Sequence, residues 1–176
     1  MLPNFHICVR DLESVEIAKL FTPNVHLVPD CAHMLWGTFP AREDGTGLLR
    51  FMRVDKESAG LADRASVDWE TISKPLFYRQ QNFMQKITKK LSRRPSALVS
   101  KIAFNIWLIE VRRTISEAYK HFSSKDSVET DRLHGMLFSI LLQKKVIFHD
   151  NSVKKLTRYK RAWFEELSDR WVFEAE

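Results

Sequence analysis

The sequence predicts an α/β protein built on a parallel sheet with helices on its faces, and three observations lead there. Short β-rich runs alternate with longer stretches whose apolar residues recur at helical spacing, the mark of repeated strand and helix units. Only five glycines and six prolines occur in 176 residues, against 28% charged residues, which favours long helices over a turn-rich all-β fold. A hydrophobic fraction of 44%, with 11% aromatic, supplies a sizeable core and excludes a disordered or low-complexity chain.

In chain order, Phe5 to Val9 is a short β-rich run, followed by Arg10-Asp11 and then by Leu12, Val15, Ile17, Ala18, Leu20 and Phe21 at helical spacing. A second strand, Val25 to Val28, stops at Pro29-Asp30, and Cys31 to Trp36 forms an apolar helical turn before Gly37. Residues Phe39 to Gly47 carry Pro40, Gly45 and Gly47 among charges, so a domain boundary is placed there: residues 1–40 form one unit and 41–176 the other. Leu48 to Val54 reads as a strand, with a helix able to begin at Asp55 to Ser58. Two long helical stretches follow, Glu70 to Arg93 and Ser96 to Phe122, divided by Arg94-Pro95 and arranged as a hairpin. Thr130 then leads into an apolar helix, Leu133 to Leu142, a strand at Val146 to His149, and a last helix from Lys154 to Leu167.

The net charge of +6 permits anions of many kinds, from nucleic acid to phosphorylated substrates, and selects none of them. Two cysteines, Cys8 and Cys31, sit among apolar neighbours, which predicts reduced, buried thiols and a cytoplasmic setting. No run reaches the roughly 20 apolar residues of a membrane span, and the first residues lack a signal-like pattern. The histidines show no metal-ligand spacing, so neither a metal nor a cofactor is expected. Trp36, Trp69, Trp107 and Trp163 are expected in the core or at sheet edges.

Ligands of a parallel sheet collect at the carboxyl ends of its strands, where the next helix points its N–H groups at bound anions. Four junctions qualify: Arg10-Asp11, Arg53 to Lys56, Thr130-Asp131-Arg132-Leu133-His134-Gly135, and Asp150-Asn151-Ser152. At the third, Arg132 can grip a carboxylate or phosphate with its planar fork, and His134 titrates near neutrality as an acid or base. From the residues alone a second reading stands beside this one, in which Asp131 and Arg132 pair locally and His134 caps the helix.

Thr130 to Gly135, with Asp150-Asn151-Ser152 downstream, resembles the signature of the polysaccharide pyruvyltransferase family. Arg10-Asp11 with Ser14, and Pro29-Asp30-Cys31-Ala32, resemble its arginine-plus-serine and Pro-Asp-x-Ala elements. Arg53 to Glu57 and Val67 to Trp69 are also similar to the family. The resemblance implies the C-terminal half of a GT-B-like two-domain fold, a Rossmann-like sheet carrying the helical hairpin as an insertion. It implies transfer of the enolpyruvyl unit of phosphoenolpyruvate to a sugar of a cell-surface polysaccharide, with phosphoenolpyruvate as donor substrate and a saccharide acceptor as the other partner. Carried over by position, Arg10 and Arg132 grip the donor and His134 is the acid/base or phosphate-contacting group. Arg53, Asp131, Gly135, Asn151, Ser152 and Asp30 follow as substrate-binding positions.

Two departures bear on that reading. The family's glycine-rich N-terminal region does not precede Phe5, so a missing N-terminal half or an oligomer partner is expected to complete the cleft. Val153-Lys154-Lys155 also follows Asn151-Ser152 where the family continues with an aromatic residue, glycine and lysine, and Gln143-Lys144-Lys145 replaces a common glycine and proline. Two alternatives remain open: a basic helical module binding nucleic acid or anionic lipid through Lys86 to Arg94 and Lys154 to Arg161, and a catalytically inactive truncated paralogue.

Overall fold

The computed structural model of the chain describes residues 4–40, 45–55, 58, 60–72, 97–150, 154–165 and 172–174. The chain divides into two compact units, one formed by Met1–Ser66 with Phe122–Glu176 and the other by Val67–His121.

The first unit holds two parallel sheets. Strands β1 (Ile7–Val9) and β2 (Val25–Leu27) pair with each other, joined by helix α1 (Leu12–Ala18). Asp11 starts α1 by accepting the Ser14 backbone N–H at 2.8 Å, the usual service of an N-cap carboxylate. After β2, Asp30 caps a short 3-10 turn at Cys31–Leu35, accepting the Ala32 N–H at 3.1 Å.

The larger sheet has four parallel strands in the order β3 (Leu48–Phe51), β4 (Ser127–Thr130), β5 (Lys145–Phe148) and β6 (Val172–Glu174). Parallel pairing throughout fits the Rossmann-like α/β expectation. Leu49 and Phe51, Val128 and Thr130, and Val146 and Phe148 are buried, because alternate residues of each strand turn to the same face. Phe51, Thr130 and Phe148 stand in register, so β3, β4 and β5 end level with one another. That alignment places the following polar residues along one edge.

Leu133, Met136, Leu137 and Ile140, with the strand residues Val146 and Phe148 and with Leu156, Tyr159 and Phe164, form the main core cluster. Its helical members come from helix α4 (Leu133–Leu141) and helix α5 (Lys155–Trp163), with Phe164 at the C-cap of α5; both are numbered after the two helices of the second unit. Helix α4 is buried on nearly every side apart from His134, as its mostly apolar sequence requires. It ends in a Schellman arrangement, with Lys144 N–H on the Ser139 carbonyl and Gln143 N–H on the Ile140 carbonyl, each at 2.9 Å. Gln143 therefore takes φ +56°, a left-handed position that favours glycine, which gives a physical sense to its replacing a common glycine. Helix α5 is capped from a distance: the two Asp150 carboxylate oxygens accept the N–H groups of Leu156 at 3.2 Å and Thr157 at 2.8 Å.

The second unit contains α2 (Trp69–Ile72) and most of the long helix α3 (Ala97–Ser123). The second arm of the expected hairpin is thus present, whereas its first arm beyond Ile72, and with it the basic run Lys86 to Arg94, lies outside the described residues.

Several expectations change. Cys8 and Cys31 are exposed rather than buried, since β1, β2 and the 3-10 turn pack through other side chains. Trp36 and Trp107 are exposed, the latter stacked on Phe104 with ring centroids 5.7 Å apart. Strand β3 stops at Phe51, three residues short of the expected end, because Arg53 and Asp55 turn to pair with each other beyond the sheet. β6 (Val172–Glu174) is not among the strands the sequence predicts.

Candidate functional site

The site is assembled at the carboxyl ends of β3 and β4, on the first turn of α4, with a contribution from the β1–β2 pair. Asp131 follows β4 and is turned inward, 3% exposed, where its Oδ1 accepts the Arg53 backbone N–H at 2.7 Å. This bond ties the chain leaving β3 to the chain leaving β4. Thr130 Oγ1 accepts the Arg132 N–H at 3.0 Å and fixes the turn into the helix.

Gly135 lets the helix start lie close to the sheet. A Cβ on this residue would sit 2.6 Å from Thr130 Oγ1 and 2.7 Å from Phe51 Cδ1, distances that force the helix or those buried side chains to move. Arg132 occupies the N-cap position of α4, and no side chain caps the helix from there. The first-turn N–H groups and the helix dipole therefore favour an anion at this end.

Two cation clusters flank that helix start. In one, the Arg53 guanidinium grips Asp55 through two bonds of 2.8 Å, and Arg132 reaches the same carboxylate at 3.7 Å. Both arginines are largely covered while Asp55 is about half exposed, so the carboxylate is the member most easily displaced by another anion. In the other cluster, Asp30 Oδ2 lies 3.4 Å from Arg10 and 3.5 Å from His134 Nε2. Arg10 and His134, 124 positions apart in the sequence, thus meet at one oxygen. His134 is exposed on the first turn of α4, where its ring can meet a ligand.

The structure therefore brings Arg10, Asp30 and His134 together, and separately Arg53, Asp131 and Arg132, on the two sides of Gly135's helix start. Asn151 and Ser152 lie outside the described residues. Among the described residues, no group of three or more His, Cys, Asp or Glu side chains is placed to hold a metal.

A second polar network escaped the sequence reading. On adjacent strands, Glu129 accepts from Arg50 at 2.8 Å and pairs with His149 Nε2 at 2.7 Å, while Arg50 also bonds Asp63 and the Leu61 carbonyl. Burial pushes the Glu129 carboxyl up, but the hydrogen bonds from His149 and Arg50 and the Arg50 charge outweigh it and leave the carboxyl below its ordinary value. Alternation along β3 and β4 would have put Arg50 and Glu129 on one face, but not their pairing. Nor did spacing signal Tyr159, whose hydroxyl accepts the Asp30 N–H at 2.9 Å from 129 residues away.

Comparisons with known proteins bear on the family. The sequence pattern of the polysaccharide pyruvyl transferase family matches residues 2–152. EpsO of Bacillus subtilis (strain 168), which is named as a pyruvyl transferase, is 33% identical over 92% of this chain and 51% of its own length. General stress protein 30 of the same organism is 26% identical over 94% of this chain and 44% of its own. The chain spans about half the length of these curated relatives.

Proposed function

From membership of the polysaccharide pyruvyl transferase family, to which this chain belongs, we propose that the start of α4 is the donor site of a pyruvyl transfer to a saccharide, with phosphoenolpyruvate as the donor. The observation that carries this reading is the convergence of Arg10 and His134 on Asp30 beside a helix start that also bears Arg132. Phosphoenolpyruvate carries its carboxylate and its phosphate on the same carbon, C2. Two arginine forks and a helix N-terminus match that pair of anions in charge and shape.

In this reading Arg132 and Arg53 exchange Asp55 for one anionic group of the donor, and Arg10 takes the other. Two sugar hydroxyls add to C2 of the donor, its C3 gains one of their protons, and phosphate leaves with the other. His134 stands where it can move the proton, and the arginines stabilise the departing phosphate. Asp131 and Gly135 act by fixing the helix start, and Asp30 by aligning Arg10 with His134. Residues 1–40 would close an N-terminal domain of a GT-B-like enzyme, with acceptor recognition shared with that domain and phosphate as the second product. Transfer to a cell-surface polysaccharide in the cytoplasm follows the same family reading. Among the described residues no helix is long and apolar enough to cross a membrane.

Isothermal calorimetry with phosphoenolpyruvate tests the proposal. The intact chain should bind it, and Arg132→Ala should weaken binding at least about tenfold, the loss of one charge-assisted contact. Absence of binding, or identical binding by Arg132→Ala, would remove the donor site.

A further inference from the structure

Helix α5 carries no residue of the donor site, yet two of its side chains hold the backbone that presents Arg10 and Asp30. Trp163 Nε1 donates to the Arg10 carbonyl at 2.9 Å, and the Tyr159 hydroxyl accepts the Asp30 N–H at 2.9 Å. Tyr159 is 1% exposed and belongs to the core cluster, against which Trp163 also packs. One side of each ring is thus anchored in the larger sheet's core, and its polar atom faces the loop ends of β1 and β2.

The same helix secures the 3-10 turn that begins after Asp30. The His33 ring stands edge-on to Tyr159, Trp163 and Phe164, with centroids 5.6, 6.2 and 4.9 Å away. Among the described residues its Nε2 is buried without a hydrogen-bond partner, which suits a neutral imidazole used for packing. Outside the loop, Arg161 meets Glu13 of α1 at 3.5 Å.

Arg10 itself is 43% exposed, and a half-exposed arginine at 3.4 Å from one carboxylate is not held by that contact alone. Its backbone, in contrast, is fixed by an indole that cannot move without disturbing the core. We propose that Tyr159 and Trp163 are positioning residues of the donor site: they set the Arg10 and Asp30 backbones against His134 without touching the donor. This rests on the phosphoenolpyruvate reading for its ligand, but the positioning itself is a property of the free protein.

The test uses the full chain and four variants, Trp163→Phe, Tyr159→Phe, Arg10→Ala and the double variant of Trp163→Phe with Arg10→Ala. At Tyr159 phenylalanine keeps the ring and removes only the hydroxyl. At Trp163 it keeps an aromatic ring but removes the indole N–H together with part of the ring system, so the double variant with Arg10→Ala separates the hydrogen bond's effect from lost packing. Calorimetric affinity for phosphoenolpyruvate should fall about three- to tenfold in each phenylalanine variant, the range of one hydrogen bond. In the Arg10→Ala background, Trp163→Phe should cause no further loss, because its effect runs through Arg10. Equal losses in both backgrounds, or no loss in either, overturn the proposal. Should the wild-type chain bind no phosphoenolpyruvate, the donor reading fails separately. The positioning is then read from the guanidinium Nε–H resonance of Arg10 in the unliganded protein. Trp163→Phe should shift or broaden that resonance, with Tyr159→Phe acting in the same sense; an unchanged resonance in both overturns the inference.

Discussion

The Arg132 cluster and the Arg10 cluster bring cations to the same helix start, but the fold holds them by different means. Arg132 and Arg53 leave adjacent strands of one sheet, and the buried Asp131 carboxylate ties the two exits together through a backbone N–H. Arg10 belongs to a separate two-stranded sheet, and its place is set by a carboxylate and an indole contributed from distant segments. Damage near Arg132 should therefore register as lost stability, whereas damage at Arg10 should register as lost affinity.

The largest effect should come from Gly135→Ala. Its new methyl would meet Thr130 and Phe51 at distances that force α4 off the sheet, at a cost of about 3 kcal/mol, visible as a lowered denaturant midpoint. Retention of the wild-type midpoint would show that α4 can shift freely, and the comparison would break. Asp131→Ala leaves the Arg53 N–H without its carboxylate and should cost about 2 kcal/mol in the same assay.

The β4–α4 junction was the part of the site most legible from sequence. The polar Thr130-Asp131-Arg132 step stands before a mostly apolar run that reads as a buried helix, and Gly135 near the start of that run marks a close approach. The Arg10 cluster was legible only in its residues. Nothing in the spacing of Arg10, Asp30 and His134 says that they share an oxygen, because that meeting depends on how the small sheet docks against α5. For the same reason Tyr159 and Trp163 read as ordinary aromatic residues of an amphipathic helix. The exposure of Cys8 and Cys31 followed an equally tertiary decision, since apolar neighbours in sequence do not determine which face of a two-stranded sheet is covered.

A smaller effect concerns the sheet on which Arg132 rests. The Glu129 carboxyl is held low despite burial, by His149 and Arg50, so its contribution to stability is present above the ordinary value of 4.5. The unfolded chain takes up the proton first, and the contribution is lost as pH falls from there through the lower folded value. Burial lowers the His33 pKa from 6.5, more than Asp30 raises it, so that group acts in the same direction at higher pH. Asp63, held below its ordinary value chiefly by its hydrogen bond from Ser66, contributes in the same acid range. The share of Glu129 is therefore read by comparison: Glu129→Gln should flatten the decline of the urea midpoint as pH falls below 4.5. A decline as steep as in the wild type would assign acid sensitivity to other groups.

The smallest stability effect should be that of Arg10→Ala. Its ion pair with Asp30 is partly exposed and long, so the midpoint should move by less than about 0.5 kcal/mol. A loss as large as that of Asp131→Ala would mean that the Arg10 cluster is also part of the framework.

The central claim, that Arg10, Arg132 and His134 surround one donor, is tested most directly by a crystal structure of the chain with phosphoenolpyruvate. The account predicts the ligand at the first turn of α4, with one anionic group on Arg132, the other on Arg10, and His134 within hydrogen-bond distance. Phosphoenolpyruvate bound elsewhere, or held by Arg132 while Arg10 stays on Asp30, would contradict it.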